Sequence, residues 1–189
     1  MNKRTRRPMV AVIGDAKLNP SDRKAKIARE VGRLLVESGC RVVTGGLGGV
    51  MAAAMEGARL AENYADGDTI GVLPAFDPSE ADPAADIVLA TGLSLARNVL
   101  VANADAVIAI GGGAGTLSEM ALAWQLRRPI IAVLVPGWSK NLANARLDRR
   151  QRQAGMKNDR IHSARTSTEA VRIAMRLIPR FPKRMGAVN

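Results

Sequence analysis

The 189-residue sequence predicts an α/β fold, a doubly wound parallel sheet in a three-layer α/β/α arrangement with a basic C-terminal helical extension. Three observations predict it. Six short apolar segments between Met9 and Val135 alternate with segments of helical period. Several of them are unbroken aliphatic runs, as strands buried on both faces must be. Glycine-rich turns follow the apolar runs and open the helices. With right-handed crossovers the result is a Rossmann-like sheet, whose strand-to-helix loops all lie along one carboxyl edge.

Met9 to Ile13 reads as a buried strand closed by Gly14-Asp15. Ser21 or Asp22 is placed to cap a helix from about Arg23 to Glu37, with Ile27, Val31, Leu34 and Leu35 on one face. Gly39 ends it. Arg41 to Thr44 is the second strand, followed by Gly45-Gly46-Leu47-Gly48-Gly49 and a helix from about Val50 to Glu62, whose alanines suit close packing. Thr69 to Leu73 is the third strand. Ala75 to Ala85, rich in Pro, Asp and Ala, is a loop, and its Asp77, Ser79 and Glu80 either close over a ligand or are solvated. Asp86 to Ala90 is the fourth strand, leading through Thr91-Gly92 to a helix from about Leu93 to Asn103. Ala106 to Ile110, the loop Gly111 to Thr116 and a helix from Leu117 to about Leu126 follow, then a sixth strand from Pro129 to Val135. Residues 139–165 are polar and weakly patterned, and no strand is expected there. Thr166 and Glu169 have capping-box spacing ahead of a helix to about Ile178, with Val171, Ala174, Met175 and Ile178 on a docking face and Arg172, Arg176 and Arg180 on another. The organisation expected is a basic arm over 1–8, a ligand-binding domain over 9–138 and a basic extension over 139–189.

The net charge of +11 is carried by the ends: residues 1–7 contribute +4, residues 146–189 contribute +9, and the stretch between is −2. Nucleic-acid binding is therefore a question about the ends, from which the aromatic residues that stack on bases are almost absent. Only 3% of residues are aromatic, so the core must be aliphatic. A lone Cys40 and a lone His162 leave too few ligands for a structural zinc site, and no metal site is expected. No run is long enough to span a bilayer and the basic start lacks a secretory apolar region, so a cytoplasmic protein with no membrane partner is expected.

A loop that holds phosphate must aim several backbone N–H groups at one point, and the helix behind it adds free N–H groups and partial positive charge. Gly111-Gly112-Gly113-Ala114-Gly115-Thr116, after a strand and before a helix, meets that requirement, although a tight turn would also use these glycines. It is neither a Walker loop nor a dinucleotide fingerprint. Gly45 to Gly49 has the same placement after the second strand, and its alternative reading is close packing of loop on sheet. With Gly14, Asp15 and Thr91, these loops converge on one edge. Asp15 either meets a ribose hydroxyl or caps a turn. The ligand-binding set expected is Gly14, Asp15, Gly45, Gly46, Gly48, Gly49, Thr91, Arg97, Asn98, Gly112, Gly113, Gly115 and Thr116.

Gly45-Gly46-x-x-Gly49-Val50-Met51 and Gly112-Gly113-x-Gly115-Thr116-x-x-Glu119 resemble the paired signatures of the LOG-like superfamily, once described as lysine decarboxylases. The resemblance covers about residues 8–135. Phe76 to Ala81, Ala90-Thr91-Gly92-Leu93, Ala96-Arg97-Asn98 and Gly111 to Glu119 are similar to the molybdenum cofactor carrier branch. That branch implies binding of a phosphate-bearing pterin, with the molybdenum cofactor as bound ligand and no cofactor required for catalysis. The better-known branch implies hydrolysis of nucleoside 5′-monophosphates at the N-glycosidic bond, with Glu119 and Arg97 as the catalytic pair. A carboxylate there would stabilise positive charge on the ribose and an arginine would clamp the anion. Relatives also imply a homo-oligomer, dimer or tetramer, paired through helices beside the cleft. The helix from Val50 and the helix containing Trp124 are the segments considered for it.

The hydrolase segment Met-His-x-Arg-Lys appears here as Ser94-Leu95-Ala96-Arg97-Asn98, its Pro-Gly-Gly opening as Gly111-Gly112-Gly113, and the first of its two glutamates as Ser118. These departures favour a carrier over a hydrolase. Glu119 keeps two readings, since Thr116-x-x-Glu119 is also a capping box. Arg97 keeps two as well, an anion clamp or a solvated side chain.

Overall fold

The computed structural model describes residues 6–153, 156 and 158–181. They form a seven-stranded sheet, parallel at every pairing, in the order β4-β3-β2-β1-β5-β6-β7. The strands are β1 (Met9–Gly14), β2 (Arg41–Thr44), β3 (Thr69–Leu73), β4 (Ile87–Ala90), β5 (Ala106–Ile110), β6 (Ile130–Val133) and β7 (His162–Ala164). The helices are α1 (Arg23–Glu37), α2 (Val50–Ala58), α3 (Asn98–Ala102), α4 (Ala114–Gln125), α5 (Trp138–Leu142) and α6 (Ser167–Leu177).

Alternate residues of β1 and β5 supply the two faces of the core. Val10, Val12, Ile108 and Ile110 pack with α1, α2 and α6, whereas Ala11, Ile13, Val107 and Ala109 pack with α3 and α4. The α/β/α layering expected from the unbroken apolar runs is what forms. Asp22 is the residue that caps α1, its carboxylate accepting from Lys24 N–H at 2.7 Å. The alanines of α2 are buried against α1 and the sheet, including Ala53, Ala54 and Ala58.

The structure departs from the sequence reading in α2, which ends at Ala58 rather than near Glu62, in α5, which was not expected, and in three further places. β7 was not expected; it is three residues long and polar, and it pairs with β6 at Ile131↔His162 through Val133↔Ala164. The expected helix from Leu93 is a 3₁₀ turn, Ser94–Arg97, running into the short α3, with Ser94 at φ +50°. The helix after the glycine loop begins at Ala114 rather than Leu117, with Gly113 as its N-cap.

The docking helix does form. Thr166 Oγ1 caps α6 by accepting from Glu169 N–H at 3.1 Å, and Ala170, Val171, Ala174 and Leu177 join the core. Part of the terminal basicity is structural. Arg6 and Arg7 ion-pair with Asp105 and Asp68 at 2.7 and 2.6 Å. Arg152 is buried, held by both oxygens of Asp159 at 2.6 and 2.7 Å, and stacks 3.7 Å from the Trp124 ring centre. No helix among the described residues is long and apolar enough to cross a membrane.

Candidate functional site

The chain runs outward from β1 towards β4 and, on the other side, from β5 towards β7, so the order reverses between β1 and β5. Loops at the carboxyl ends of two such strands splay apart and leave a crevice. A cavity of about 140 Å³ lies there, bounded by Gly14, Gly45, Arg97, Asn98, Thr116 and Glu119, with Ile13, Ala16, Met51, Leu95 and Gly115 completing it. Sequence reasoning named the first six and Gly115, and did not single out the other four. Ile13 and Ala16 flank the turn after β1, and Met51 and Leu95 lie inside the compared segments; the four supply apolar wall, a role with no local signature.

The glycine loop is shaped from below. Gly111 and Gly112 have φ of +68° and +91°, a region that side chains other than glycine's rarely allow. Their N–H groups are already committed: Gly111 donates to Ser139 Oγ at 2.8 Å and Gly112 donates to Asp15 Oδ2 at 2.9 Å. Lys24 Nζ also donates to Asp15 Oδ2, at 2.9 Å. Ser139 is buried and donates to Val133 O at 2.7 Å, so it ties the loop to the end of β6. Ser139 and Lys24 were missed because each is far from the motif in sequence. The available signal was topological, since Gly137-Trp138-Ser139 follows the strand next to β5.

The open part of the loop is the start of α4. The first intrahelical bond runs from Leu117 N–H to Gly113 O at 3.0 Å, and no side chain caps the N–H groups of Ala114, Gly115 and Thr116. A side chain added at Gly113 or Gly115 would meet nothing within 4 Å. The capping-box reading of Thr116 and Glu119 is corrected here. Thr116 lies inside the first turn and its hydroxyl donates to Gly14 O at 3.2 Å. Glu119 is one turn on, only 8% exposed, and faces the cavity.

Burial pushes the Glu119 carboxyl up to about 7, the positive charge of Arg97 opposing it. Burial likewise lowers the Arg97 pKa, with the Glu119 charge opposing. Arg97 Nη1 is buried without a hydrogen-bond partner among the described residues. A buried guanidinium donor left unmatched is costly, so the geometry suits an acceptor entering from outside.

Gly45 approaches the Arg97 guanidinium so closely that a Cβ would overlap it and Met51 Sδ. Its place is explained by that contact. Gly46, Gly48 and Gly49 do not line the cavity. Gly46 N–H donates to Thr44 Oγ1 at 3.0 Å, and Val50 N–H at the start of α2 donates to Asp15 O at 2.9 Å. Close packing is therefore what this second loop does in the chain as it stands. Thr91 donates to Leu73 O at 2.7 Å and shapes the turn after β4. Asn98 Nδ2 donates to Ser118 Oγ at 3.1 Å, tying α3 to α4 beside the cavity. Asp15 holds Gly112 and Lys24, the structural alternative to meeting a ribose.

The family model for the SLOG cluster4 family matches residues 7–170. An uncharacterized protein from Archaeoglobus fulgidus is 35% identical over 128 residues, 67% of this chain and 80% of that one. The molybdenum cofactor binding protein of Rippkaea orientalis superposes with a TM-score of 0.74 and 32% identity, covering 92% of this chain and 99% of that one. The molybdenum cofactor carrier protein of Chlamydomonas reinhardtii gives a TM-score of 0.72 and 28% identity, with the same coverage. With the paired glycine loops at the switch point of a parallel sheet, the chain belongs to the SLOG cluster4 family, within the LOG-like superfamily.

Proposed function

We propose that this protein is a carrier for a phosphate-bearing small molecule, a molybdenum cofactor-type pterin or a nucleotide, whose phosphate sits at the start of α4 and against Arg97. The observation that carries the reading is the juxtaposition of three uncapped N–H groups with a buried Arg97 Nη1 that has no hydrogen-bond partner among the described residues. A helix N-terminus and an arginine are complementary to the same dianion. The cavity of about 140 Å³ holds a phosphate group rather than a whole ligand, for which sites run to about 300–1,000 Å³. The heterocycle would lie outward, over exposed Gly113, Gly115 and Leu95. Of the loop glycines, Gly113 and Gly115 leave room for that approach; Gly14, Gly45, Gly46, Gly48, Gly49 and Gly112 support it from behind.

The two related solved structures support the pterin, being described as molybdenum cofactor binding and carrier proteins. Native mass spectrometry of the protein after exposure to the released cofactor tests the reading. A stoichiometric complex that Arg97→Gln abolishes is expected. Equal binding by Arg97→Gln would overturn it.

One observation favours the second reading, a nucleoside 5′-monophosphate phosphoribohydrolase. Glu119 is not a helix cap, and it is buried with a pKa near neutrality opposite Arg97, as a group handling protons or ribose charge would be. Incubation with AMP separates the two. Release of ribose 5-phosphate, lost in Glu119→Gln, would replace the carrier with the enzyme.

The same proposal includes self-association. On the α3/α4 side of the sheet, the edge strand β4 and the turn after it leave an apolar patch open, with Ile87, Leu89, Leu95 and Leu100 41–80% exposed. A parallel sheet normally has both faces covered. The helix from Val50 is itself buried inside the protomer. Sedimentation of the wild type as a dimer or tetramer, and of Leu89→Glu/Leu95→Glu as a monomer, is the expected result.

A further inference from the structure

A second cavity lies at the outer edge of β7, on the α6 side, and shares no lining residue with the first. Its volume is about 570 Å³, within the range of small-molecule sites. Arg160 from the approach to β7, Arg176 from α6 and Arg180 from the turn after it converge on this space, with His162, Asn144 and Ser163 beside them. Among the described residues, no carboxylate lines it. The nearest in sequence, Asp159, is buried and taken by both donors of Arg152.

Three guanidinium groups drawn around one concavity repel one another, and among the described residues neither Arg176 nor Arg180 has a hydrogen-bond or ion-pair partner. Arg160 has only a long contact, 3.4 Å from Nε to Asn158 O. The donors still free are forked and charged, which suits phosphate oxygens. Asn144 Oδ1 accepts from Ser163 Oγ at 3.1 Å, leaving the Asn144 amide N–H groups as further neutral donors. Burial lowers the pKa of His162; the negative charge of Asp159 opposes this, and the charges of Arg176, Arg160 and Arg152 add to it. Ile173 and Leu177 form an apolar wall on the α6 side, so the space suits a molecule with a body as well as charge.

We infer that this cavity is a second anion site that takes a small molecule bearing a polyphosphate chain. Charge selects the polyphosphate, because three converging cations exceed what one phosphate monoester neutralises. The lining offers no Phe, Tyr or Trp on which successive bases could stack, which favours a small molecule over a nucleic-acid strand. The site is independent of the carrier reading, since neither Arg97 nor the glycine loop takes part.

Calorimetric titration of the full chain with inorganic tripolyphosphate at low ionic strength tests this. Saturable binding is expected that weakens on the order of a hundredfold in Arg176→Gln/Arg180→Gln, the two charge-assisted contacts being lost together. The same titration of Arg97→Gln should keep that binding, which separates this site from the one at α4. Both substituted side chains are exposed and unpartnered, so an unchanged thermal midpoint should accompany the loss. Tripolyphosphate affinity unchanged in the double variant would overturn the assignment. So would arginine-dependent binding of a single-stranded oligothymidylate by a protein that ignores tripolyphosphate.

Discussion

Arg97 and Glu119 border the same cavity and bias each other's ionisation, yet they form no ion pair among the described residues. Each is desolvated without the full return of a direct contact. Gly45 leaves room for the guanidinium, and the Asn98–Ser118 hydrogen bond holds α3, which follows directly from Arg97, against the helix that carries Glu119.

The first expectation concerns Glu119 and pH. Its folded-state pKa is raised to about 7 from an ordinary 4.5, so the native protein binds the proton more tightly than the unfolded chain. Stability therefore falls as pH rises from about 4.5 to 7, then stays level. Glu119→Gln, which mimics the protonated acid, should match the wild type near pH 4 and exceed it above pH 7 by on the order of 3 kcal/mol. Urea denaturation across that range reads the divergence; curves that stay parallel would show that the carboxylate is solvated.

Glycines of the two loops should respond differently to the same substitution. Gly113→Ala meets open space and should change stability by less than about 1 kcal/mol. Gly112→Ala has to adopt φ +91° and overlap Thr116, so a loss of about 2 kcal/mol or more is expected. Gly45→Ala displaces the flexible end of Arg97, and its signature should be loss of ligand with a smaller loss of stability. Denaturant midpoints and native mass spectrometry of the three variants, run side by side, give the comparison.

Ser139 lies outside both glycine motifs but holds one of them. Ser139→Ala leaves Gly111 N–H without its acceptor inside the protein, at a cost of about 1–3 kcal/mol. Faster hydrogen exchange at Gly111 and Gly112 should accompany it. Exchange confined to α5 instead would mean that Ser139 serves only its own helix.

At Arg152, the buried pair with Asp159 should be costly to break on one side only. Arg152→Met strands the Asp159 carboxylate and should destabilise by about 3–5 kcal/mol, whereas Arg152→Met/Asp159→Leu should recover most of that. A double-mutant cycle by chemical denaturation measures the recovery. Equal losses in the single and double variants would place the stability in the stacking on Trp124.

Much of this was legible in the residues themselves. The apolar runs from Met9 to Ile13 and Ala106 to Ile110 are strands because both their faces are covered, and α1 spans Arg23–Glu37 as its period and its Asp22 cap predict. The glycine motifs located the carboxyl edge on which Gly14, Gly45, Arg97, Gly115, Thr116 and Glu119 meet. β7 was not legible, since His162-Ser163-Ala164 has no strand pattern of its own and is extended only because β6 offers it an edge.

Local order in this protein follows from properties a sequence carries directly: side-chain period, capping groups, and glycine where the backbone must turn sharply. The sequence alone therefore determined the α/β class, the order of the first six strands along the chain and the motif residues that border the cavity between the loops. The tertiary structure decided which groups are spent and which are left over. Hydrogen bonds between distant residues commit Gly111 and Gly112 to Ser139 and Asp15, and burial turns Glu119 from a plausible helix cap into a near-neutral acid. The terminal charge divides in the same way, with Arg6 and Arg7 neutralised by carboxylates far off in the sequence, Arg152 by the nearby Asp159, and Arg176 and Arg180 left facing a cavity. Partnership and desolvation depend on what lies within a few ångströms in space, and only the folded chain fixes that.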